Sequence, residues 1–250
     1  MNGSTVIEGR RVLVVGGSSG IGRAFAAEAI RQGAEVCVAA RRADELQALC
    51  ADGGTPLTAD VTDPEAVRGM VEDAAAALGG LDLVVYAAGV GTLAPLVDAE
   101  AEAWARDYAV NVIGATLVGA AALPHLDAHG LMAFVSSDST EAPRWGLASY
   151  TASKAALDAT IRSWRLEHPH RRFTRIVMGP TIPTDFGTRF DDEVLVVAFE
   201  RWDASAVHSN FMPTEGVGRH LVAVLGTALA HPEIDLPDLA LAPRGDALGG

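Results

Sequence analysis

Short and almost continuously apolar runs alternate along the chain with longer segments of helical periodicity. The runs lie at residues 12–15, 36–40, 81–88, 131–135 and 175–178. Parallel strands covered by helices on both faces have this pattern, whereas a sheet with one wet face would alternate apolar and polar residues. The pattern predicts an α/β fold with a doubly wound parallel sheet and helices on both faces.

Capping signals mark two of the predicted helices. Asp63 precedes Pro64, which suits the first helical position, and this helix should end at Gly79-Gly80. Thr214 is predicted to cap a later helix, in which apolar residues recur at helical spacing. No repeat, low-complexity linker or change of composition divides the chain, so one domain over residues 1–250 is predicted.

Composition narrows the classes of partner and compartment. Of the 250 residues 49% are hydrophobic, and the formal net charge of −13 opposes nonspecific binding to nucleic acid or an anionic membrane. Residues 1–9 lack a basic region followed by a long apolar stretch, so a cytoplasmic protein without a membrane segment is expected.

Cys37 and Cys50 are interpreted as reduced thiols, and no metal site is expected. Arg171 and Arg172 are interpreted as solvated charges in a turn.

A glycine-rich turn lies between the first predicted strand and an amphipathic helix. Glycines let the backbone approach a pyrophosphate, and the helix start offers unpaired N–H groups and a favourable dipole. The spacing is G-x-x-x-G-x-G and not the strict G-x-G-x-x-G. The turn favours dinucleotide binding, with a purely structural turn as the alternative. The predicted contacts are Gly16, Ser18, Ser19, Gly20, Ile21 and Gly22.

Two arginines follow the second predicted strand, where a doubly wound fold brings the chain beside the adenosine ribose. A site that prefers NAD usually has a carboxylate here, but this chain has Arg41 and Arg42. Guanidinium groups pair well with a 2′-phosphate, and Arg23 could add charge. The pattern favours NADP over NAD, and two solvated arginines are the alternative.

A serine, a tyrosine and a lysine form the third group of candidate residues. On a helix that begins near Tyr150, Lys154 lies on the same face, and Ser137 comes before them after an apolar run. A neighbouring cation favours the phenolate, so Tyr150 could exchange a proton with an alcohol or carbonyl as a hydride moves. Lys154 is the only lysine in the chain, which indicates a need for a compact ammonium. A surface lysine is the alternative.

In their order, these motifs resemble the short-chain dehydrogenase/reductase family in its single-domain branch, from about Glu8 to Asp185. The resemblance implies a Rossmann-like fold, a small-molecule alcohol or carbonyl substrate, and a homodimer or homotetramer. The residues that carry it are the Gly16 to Gly22 turn, Asp60-Val61, Ala88-Gly89, Asn111, Ser137, Tyr150 and Lys154.

The resemblance also implies roles for single residues. Tyr150 would be the general acid/base, Ser137 would hydrogen-bond the substrate oxygen, and Lys154 would hold the nicotinamide ribose and lower the pKa of the tyrosine. Asn111 would position a water in a proton relay, although it could instead cap a bent backbone. The implied cofactor contacts are Asp60 and Val61 at the adenine, Ala88 and Gly89 at the ribose, and Pro180, Ile182 and Thr184 at the nicotinamide.

The chain departs from the family pattern at three places. Val15 stands where a threonine is common, Tyr86-Ala87 stands where two asparagines are common, and Gly179-Pro180 reverses the usual Pro-Gly. Two supporting hydrogen bonds are therefore expected to be lost. None of these changes removes a predicted catalytic side chain, so activity is expected to survive them.

Residues 185–213 are predicted to form a substrate lid, called the lid segment below. The acidic residues at 191–193 are expected to start a helix rather than bind a metal. Aromatic residues in the lid segment suggest a bulky or apolar substrate, or else they pack the lid onto its own domain or a partner subunit. These aromatics are Phe186, Phe190, Phe199, Trp202 and Phe211, with Trp145 nearby.

The sequence therefore predicts an NADP-dependent oxidoreductase. An idle dinucleotide-binding sensor or scaffold of the same fold is the alternative, and epimerase or dehydratase chemistry is a third possibility that the short chain makes less favourable.

Overall fold

The computed structural model describes residues 5–188, 190–204 and 210–244. The strands are β1 (Arg11–Val15), β2 (Glu35–Ala40), β3 (Thr55–Thr58), β4 (Leu81–Tyr86), β5 (Leu126–Ser137), β6 (Arg172–Met178), β7 (Thr181–Ile182), β8 (Met212–Pro213) and β9 (Asp238–Leu241). The helices are α1 (Gly20–Arg31), α2 (Ala43–Leu49), α3 (Pro64–Leu78), α4 (Ala101–Tyr108), α5 (Ala115–Ala122), α6 (Ala148–Glu167), α7 (Asp192–Ala204) and α8 (Thr214–Ala230). A π-helical segment, Ala109–Gly114, joins α4 to α5.

Seven parallel strands form the main sheet in the order β3-β2-β1-β4-β5-β6-β9. The predicted doubly wound parallel fold is therefore confirmed. Strand order reverses between β1 and β4, so the loops after these strands diverge and leave a crevice at the carboxyl edge of the sheet, where such folds bind ligands.

Apolar residues of β1 alternate between two separate cores. Leu13 and Val15 belong to the core that includes residues of α3, α5 and α6. Val12 and Val14 belong to the core that includes residues of α1 and α8. Both faces of the strand are dry, which is why the run is continuously apolar.

Two strands of the main sheet, β3 and β9, were missing from the predicted pattern, as were the two short strands β7 and β8. The residues of β3, Thr-Pro-Leu-Thr, lie at the sheet edge and are mostly exposed, so no apolar run marks them. The other edge strand, β9, alternates exposed and half-buried residues. The run predicted at 81–88 ends two residues early, at Tyr86, because the chain leaves the sheet to form the crevice.

Of the two predicted helix caps, one is confirmed and one is wrong. Asp63 Oδ1 accepts hydrogen bonds from the Glu65 and Ala66 N–H groups at 2.9 and 3.3 Å, and the helix ends at Gly79 in a left-handed conformation. Thr214 begins α8 but does not cap it, because its hydroxyl donates to the Pro183 carbonyl at 2.7 Å.

The interpretation of Arg172 as a solvated charge is wrong. Arg172 lies in β6, is 9% exposed, and donates to the carbonyl oxygens of His129 and Ile234. Its apolar stem is buried, while the guanidinium connects β6 to β5 at His129 and to the loop before β9 at Ile234. Arg171 donates to the carbonyls of Leu126 and Asp127.

The continuous helical stretch Ala101–His125 is long and apolar enough to cross a membrane by length and composition alone. It also carries two buried polar residues, Asp107 and Asn111, that are hydrogen-bonded inside the domain. Its α5 part packs against α3 and its α4 part against α6. These are the features of a core helix in an α/β domain.

Candidate active site

The glycine-rich turn packs directly against the loop that follows β4. Gly16 has a φ of +91°, and a Cβ there would lie 2.3 Å from the Ala88 nitrogen. A Cβ on Gly22 would lie 2.4 Å from the Gly16 carbonyl oxygen. Only glycine allows these backbone approaches, so the residue type at both positions is fixed by packing as well as by any ligand.

The amino terminus of α1 opens onto the crevice with its donors uncapped. Ser19 is the N-cap residue, in extended conformation, and its side chain makes no capping hydrogen bond. The first N–H groups of a helix need acceptors, and an anion such as a pyrophosphate can supply them. Ile21 follows Gly20 in the first turn, and Ser18 lies just before the cap.

Arg41 and Arg42 follow β2 and both reach acidic residues. Arg41 lies 3.9 Å from an Asp60 carboxylate oxygen. Arg42 Nη1 lies 2.7 Å from Asp185 Oδ2, and its Nε and Nη2 donate to the Ser18 hydroxyl at 3.2 and 3.1 Å. Both guanidiniums are about half exposed, at 56% and 49%. Arg23 instead lies 3.8 Å from Glu45.

Asp60 and Val61 follow β3 at the same edge of the sheet. The Asp60 carboxylate accepts from the N–H and hydroxyl of Thr62 at 2.9 and 2.8 Å. Val61 is 8% exposed and packs so close to the π-helical segment that a Cβ on Gly114 would lie 3.0 Å from it. Val61 is thus part of the core on one side.

Tyr150, Lys154 and Ser137 converge at the carboxyl end of β5. Ser137 is the last residue of β5 and is 4% exposed, while Tyr150 and Lys154 lie on consecutive turns of α6. The Lys154 ammonium lies 5.9 Å from the centre of the Tyr150 ring and donates to the Val135 carbonyl at 2.7 Å. The predicted start of a helix near Tyr150 is confirmed.

Burial shifts the pKa values of the tyrosine and the lysine. Burial raises the pKa of Tyr150 to about 12, although the Ser137 hydroxyl and the Arg144 guanidinium act to lower it. Burial lowers the pKa of Lys154 to about 8, opposed by the carboxylate of Asp158. In the protein by itself the loss of water outweighs the charged neighbours of Tyr150, and the lowering of its pKa by Lys154 stays a prediction. At neutral pH the phenol is protonated.

Asn111 holds the loop after β4 against α6. Its Oδ1 accepts from the Val90 N–H at 3.0 Å, and its Nδ2 donates to the Val90 carbonyl and the Ser153 hydroxyl, both at 2.8 Å. Asn111 is fully buried in the π-helical segment, a type of irregularity frequent at functional sites. A Cβ on Gly89 would lie 3.6 Å from Asn111 Oδ1 and 3.5 Å from Lys154 Nζ, so all three meet beside Ala88.

Tyr86 makes a contact that sequence reasoning missed. Its hydroxyl donates to the Val110 carbonyl at 2.6 Å, and the side chain is fully buried. A Cβ on Gly114 would lie 2.8 Å from this hydroxyl. Tyr86 therefore anchors the π-helical segment beside Asn111.

Asp107 is a second buried polar residue that sequence reasoning missed. It is fully buried, accepts from the Thr92 N–H and hydroxyl at 3.1 and 3.3 Å, and accepts from the Ser149 hydroxyl at 2.5 Å. Ser149 precedes Tyr150, so Asp107 fixes the start of α6 relative to the loop after Gly91. Its position between Arg106 and Tyr108 carried no signal beyond a charged residue in a helical pattern.

Replacing Asp107 with alanine should therefore destabilise the domain. The donors of Thr92 and Ser149 would lose their acceptor in a buried place, at a cost of about 1–3 kcal/mol or more. Urea unfolding should show this loss, and Asp107→Asn, which keeps one acceptor oxygen, should lose less. An alanine variant as stable as the wild type would contradict the assigned role.

The residues just before the lid segment lie between β6 and the glycine-rich turn. Pro180 accepts from the Met212 N–H at 2.8 Å, and Ile182 lies in β7, which pairs with β8, and is 49% exposed. Thr184 lies over the glycine-rich turn, 3.4 Å from where a Cβ on Gly20 would be. The predicted helix at 191–193 is confirmed, and Asp191 accepts from the first N–H groups of α7. Residues 189 and 205–209 of the lid segment lie outside the described residues.

Most of the aromatic side chains of the lid segment pack on one another and on the site. Phe186 lies 4.7 Å from Tyr150 between ring centres, and Phe190 lies 5.3 Å from Phe186. The Trp202 indole N–H donates to the Trp145 carbonyl at 3.0 Å, and Phe199 meets Trp202 edge-on. Phe211 is 41% exposed. The interpretation in which these aromatics pack the lid onto its own domain therefore has direct support.

A partly buried ion pair lies beside Ser137. Arg144 donates to both carboxylate oxygens of Asp138 at 2.8 and 2.7 Å, and its side chain is 10% exposed. Asp138 follows Ser137, whose hydroxyl is 3.4 Å from the same carboxylate. The bidentate pair fixes the loop that connects β5 to α6.

The donors at this edge of the sheet fit a nicotinamide dinucleotide. The uncapped start of α1 suits a pyrophosphate, and the two arginines after β2 suit a phosphate or ribose. One proton of the buried Lys154 ammonium is donated to Val135, and the other two have no partner among the described residues. Ribose hydroxyls are suitable acceptors for them.

Comparisons with known proteins agree with this geometry. The family model for short chain dehydrogenases matches residues 10–194. An uncharacterized oxidoreductase of Mycobacterium tuberculosis (strain H37Rv) is 35% identical over 253 residues, covering 98% of this chain and 95% of that protein. A glycine betaine reductase of Emericella nidulans is 34% identical over 199 residues, which are 76% of this chain but 16% of that longer protein.

A solved structure gives the same architecture. A short chain dehydrogenase from Burkholderia cenocepacia J2315 in complex with NADP has a TM-score of 0.81 and 26% identity, covering 95% of this chain and 98% of that one. The sheet order, the family model and the full-length relative agree, and the chain belongs to the short-chain dehydrogenase/reductase family of nicotinamide-dependent oxidoreductases.

Proposed function

We propose that this protein transfers a hydride between NADP(H) and a small carbonyl or alcohol substrate, with Tyr150 as the general acid/base. The observation that carries the proposal is the convergence of a protonated phenol, a buried hydroxyl and the chain's single ammonium at the end of β5. Proton transfer needs a donor and a group that holds the substrate oxygen, and Tyr150 and Ser137 supply them.

In the direction of reduction, Tyr150 donates its hydroxyl proton to the carbonyl oxygen while the carbonyl carbon gains a hydride. The cofactor, when bound, supplies that hydride. Ser137 donates a hydrogen bond to the same oxygen and stabilises the charge that develops there. The resulting phenolate takes a proton back from water, so the net change is one hydride and one proton added to C=O. In oxidation, each of these transfers runs in reverse.

The raised pKa of Tyr150 favours reduction at neutral pH, because the group must carry its proton at the start of the step. Lys154 would bind the ribose hydroxyls through its two remaining protons, and its charge would stabilise the phenolate once it forms. We assign Asn111 to the support of a water relay. Its own contribution would be to keep the loop after β4 in place beside Gly89.

The cofactor contacts follow from the same edge of the sheet. The turn from Gly16 to Gly22 would receive the pyrophosphate, Ala88 and Gly89 would line the ribose, and Thr184 with Pro180 would lie toward the nicotinamide. Apolar side chains, Leu93, Leu147 and Phe186 among them, surround the tyrosine and favour a substrate with an apolar body. A homodimer or homotetramer remains part of the proposal.

A panel of ketones, aldehydes and secondary alcohols tests the proposal, with nicotinamide absorbance followed for NADPH and NADH. We expect turnover with at least one carbonyl and a preference for NADPH. Binding of NADPH without turnover on any member of a broad panel would favour the sensor or scaffold alternative. A strong preference for NADH would overturn the assignment of the two arginines.

Arg42→Ala should weaken the binding of NADPH much more than the binding of NADH. Loss of a charge-assisted hydrogen bond to a 2′-phosphate should weaken NADPH binding about 10- to 100-fold, since such bonds contribute about 1.5–3 kcal/mol. NADH binding should change little. Fluorescence titration measures both, and Arg31→Ala, at the far end of α1, is the matched control. Equal losses for both cofactors would contradict a 2′-phosphate contact.

A further inference from the structure

Thr184 and the first two residues of the lid segment contact three different parts of the proposed site. Thr184 lies over the glycine-rich turn at Gly20. Asp185 pairs with Arg42 at 2.7 Å. Phe186 lies on the ring of Tyr150, 4.7 Å between centres. Because the three residues are consecutive, a displacement of Asp185 would also move Thr184 and Phe186.

Arg42 is held by two partners that use different donors. Its Nε and Nη2 both donate to the Ser18 hydroxyl, and its Nη1 faces Asp185. Ser18 is neutral and lies in the turn, so it orients the guanidinium without neutralising it. Asp185 places a negative charge next to the Arg42 guanidinium, where a 2′-phosphate bound to Arg42 would also lie.

We propose that Asp185 is a residue that determines cofactor selectivity, because its carboxylate and the 2′-phosphate of NADP compete for Arg42. Displacement of Asp185 then releases the start of the lid segment and lets Phe186 leave Tyr150. The inference rests on the proposed function, since it needs a dinucleotide with its phosphate at Arg42.

The competition favours the phosphate for reasons of charge. A phosphate monoester carries nearly two negative charges near neutral pH and has three strong acceptor oxygens, whereas Asp185 has one charge. The side chains of Arg42 and Asp185 are each 49% exposed, and exposed ion pairs are weak. A phosphate beside an undisplaced Asp185 would also be repelled. NAD has no 2′-phosphate and would leave the pair intact.

Release of Asp185 matters because Phe186 fills the space beside the tyrosine. A Cβ on Gly91 would lie 2.6 Å from two ring atoms of Phe186 and 3.2 Å from the Tyr150 ring. Glycine at this position leaves just enough room for the phenylalanine ring. A substrate carbonyl can approach the Tyr150 hydroxyl more easily when that ring moves away.

The direct test uses 2′,5′-ADP and 5′-AMP as probes, since they differ at the 2′-phosphate and lack the nicotinamide. Calorimetric titration of the wild type, Asp185→Asn, Arg42→Ala and the double variant gives four dissociation constants for each probe. We expect Asp185→Asn to tighten 2′,5′-ADP binding about two- to fivefold, the range of a surface ion pair. Binding of 5′-AMP should not change, and the effect should vanish in the Arg42→Ala background.

The matched control is Asp192→Asn, which removes the same charge from the first residue of α7. It should leave 2′,5′-ADP binding unchanged. If Asp192→Asn tightens binding as much as Asp185→Asn, the effect is one of net charge, and the inference fails. If Arg42→Ala weakens 2′,5′-ADP binding but Asp185→Asn has no effect, the inference alone fails. If Arg42→Ala has no effect either, the proposed NADP preference fails with it.

Hydrogen exchange tests the release of the lid. A peptide that covers residues 182–188 should exchange faster in the wild type with 2′,5′-ADP than with 5′-AMP. In Asp185→Asn it should exchange fast without either probe. Unchanged exchange in the wild type on addition of 2′,5′-ADP would overturn the coupling between Arg42 and Phe186.

Discussion

Replacing Tyr150 with phenylalanine should lower carbonyl reduction by about 10²- to 10⁴-fold, the usual contribution of a general acid. The phenyl ring keeps the contact with Phe186 and the packing of the site. Only the proton donor is removed. The dissociation constant of NADPH should therefore change little, and fluorescence titration beside steady-state rates would show this separation.

Tyr108→Phe is the matched control for that variant. Tyr108 ends α4 and stacks on Trp104, so it loses the same hydroxyl without touching the proposed proton path. It should retain the wild-type rate. Activity preserved in Tyr150→Phe would remove Tyr150 from its assigned role, whereas a loss of NADPH binding in that variant would point to a structural effect.

Replacing Lys154 with methionine should abolish turnover and at the same time stabilise the fold at neutral pH. The ammonium is 3% exposed, and burial lowers its pKa from the ordinary 10.5 to about 8. A shift of this size corresponds to about 3 kcal/mol of unfavourable burial, from which the lost hydrogen bond to Val135 subtracts about 1 kcal/mol. We expect a gain of about 1–3 kcal/mol in the free energy of unfolding.

The stability difference between Lys154→Met and the wild type should depend on pH. Between about pH 8 and pH 10.5 the folded wild type has released the proton of Lys154 while the unfolded chain still holds it. The wild type should therefore become more stable relative to Lys154→Met as pH rises through this window, and the advantage of the variant should disappear. Urea unfolding across this range measures it. A variant that is less stable than the wild type at pH 7 would contradict a charged, buried Lys154.

Strands could be predicted from the sequence where both of their faces are buried, and not where most of their residues are exposed. Val12 to Val15 faces two dry cores, so its apolar run indicates a central strand directly. The edge strand β3 has one half-buried residue among exposed ones, so its composition does not mark it as a strand. It is extended because it pairs with β2. Helix caps could be predicted only where the capping contact is local. Asp63 accepts from an N–H group two residues later, whereas the Thr214 hydroxyl donates to a carbonyl 31 residues away.

The proximity of Tyr150 and Lys154 could be predicted because their chemistry is uncommon and their spacing is local. Tyr150 and Lys154 are one turn apart, and the only lysine of the chain is conspicuous in the sequence. Their pKa values could not be predicted, because these depend on how much water the assembled site excludes. Burial raises the pKa of Tyr150 in the folded chain by itself, and the lowering expected from Lys154 and a bound nicotinamide ring stays a prediction.

Supporting contacts between distant parts of the chain left no signal in the sequence. Asp107 and Ser149 are 42 residues apart, and Tyr86 and Val110 are 24 apart. Neither pair follows a helical or strand period. Arg42 and Asp185 are still farther apart in the chain, and although the sequence predicted Arg42 as a phosphate contact, nothing in it paired Arg42 with Asp185.

The central claim is that Tyr150 and the cofactor site together carry out hydride transfer. Incubation of the protein with a carbonyl substrate from the panel and NADPH deuterated at C4 of the nicotinamide tests it most directly, with mass spectrometry of the product. We predict that the wild type forms an alcohol with one deuterium at the former carbonyl carbon, and that Tyr150→Phe forms almost no alcohol in the same time. An alcohol without deuterium from either face of the labelled cofactor, or equal yields of labelled alcohol from both proteins, would contradict this.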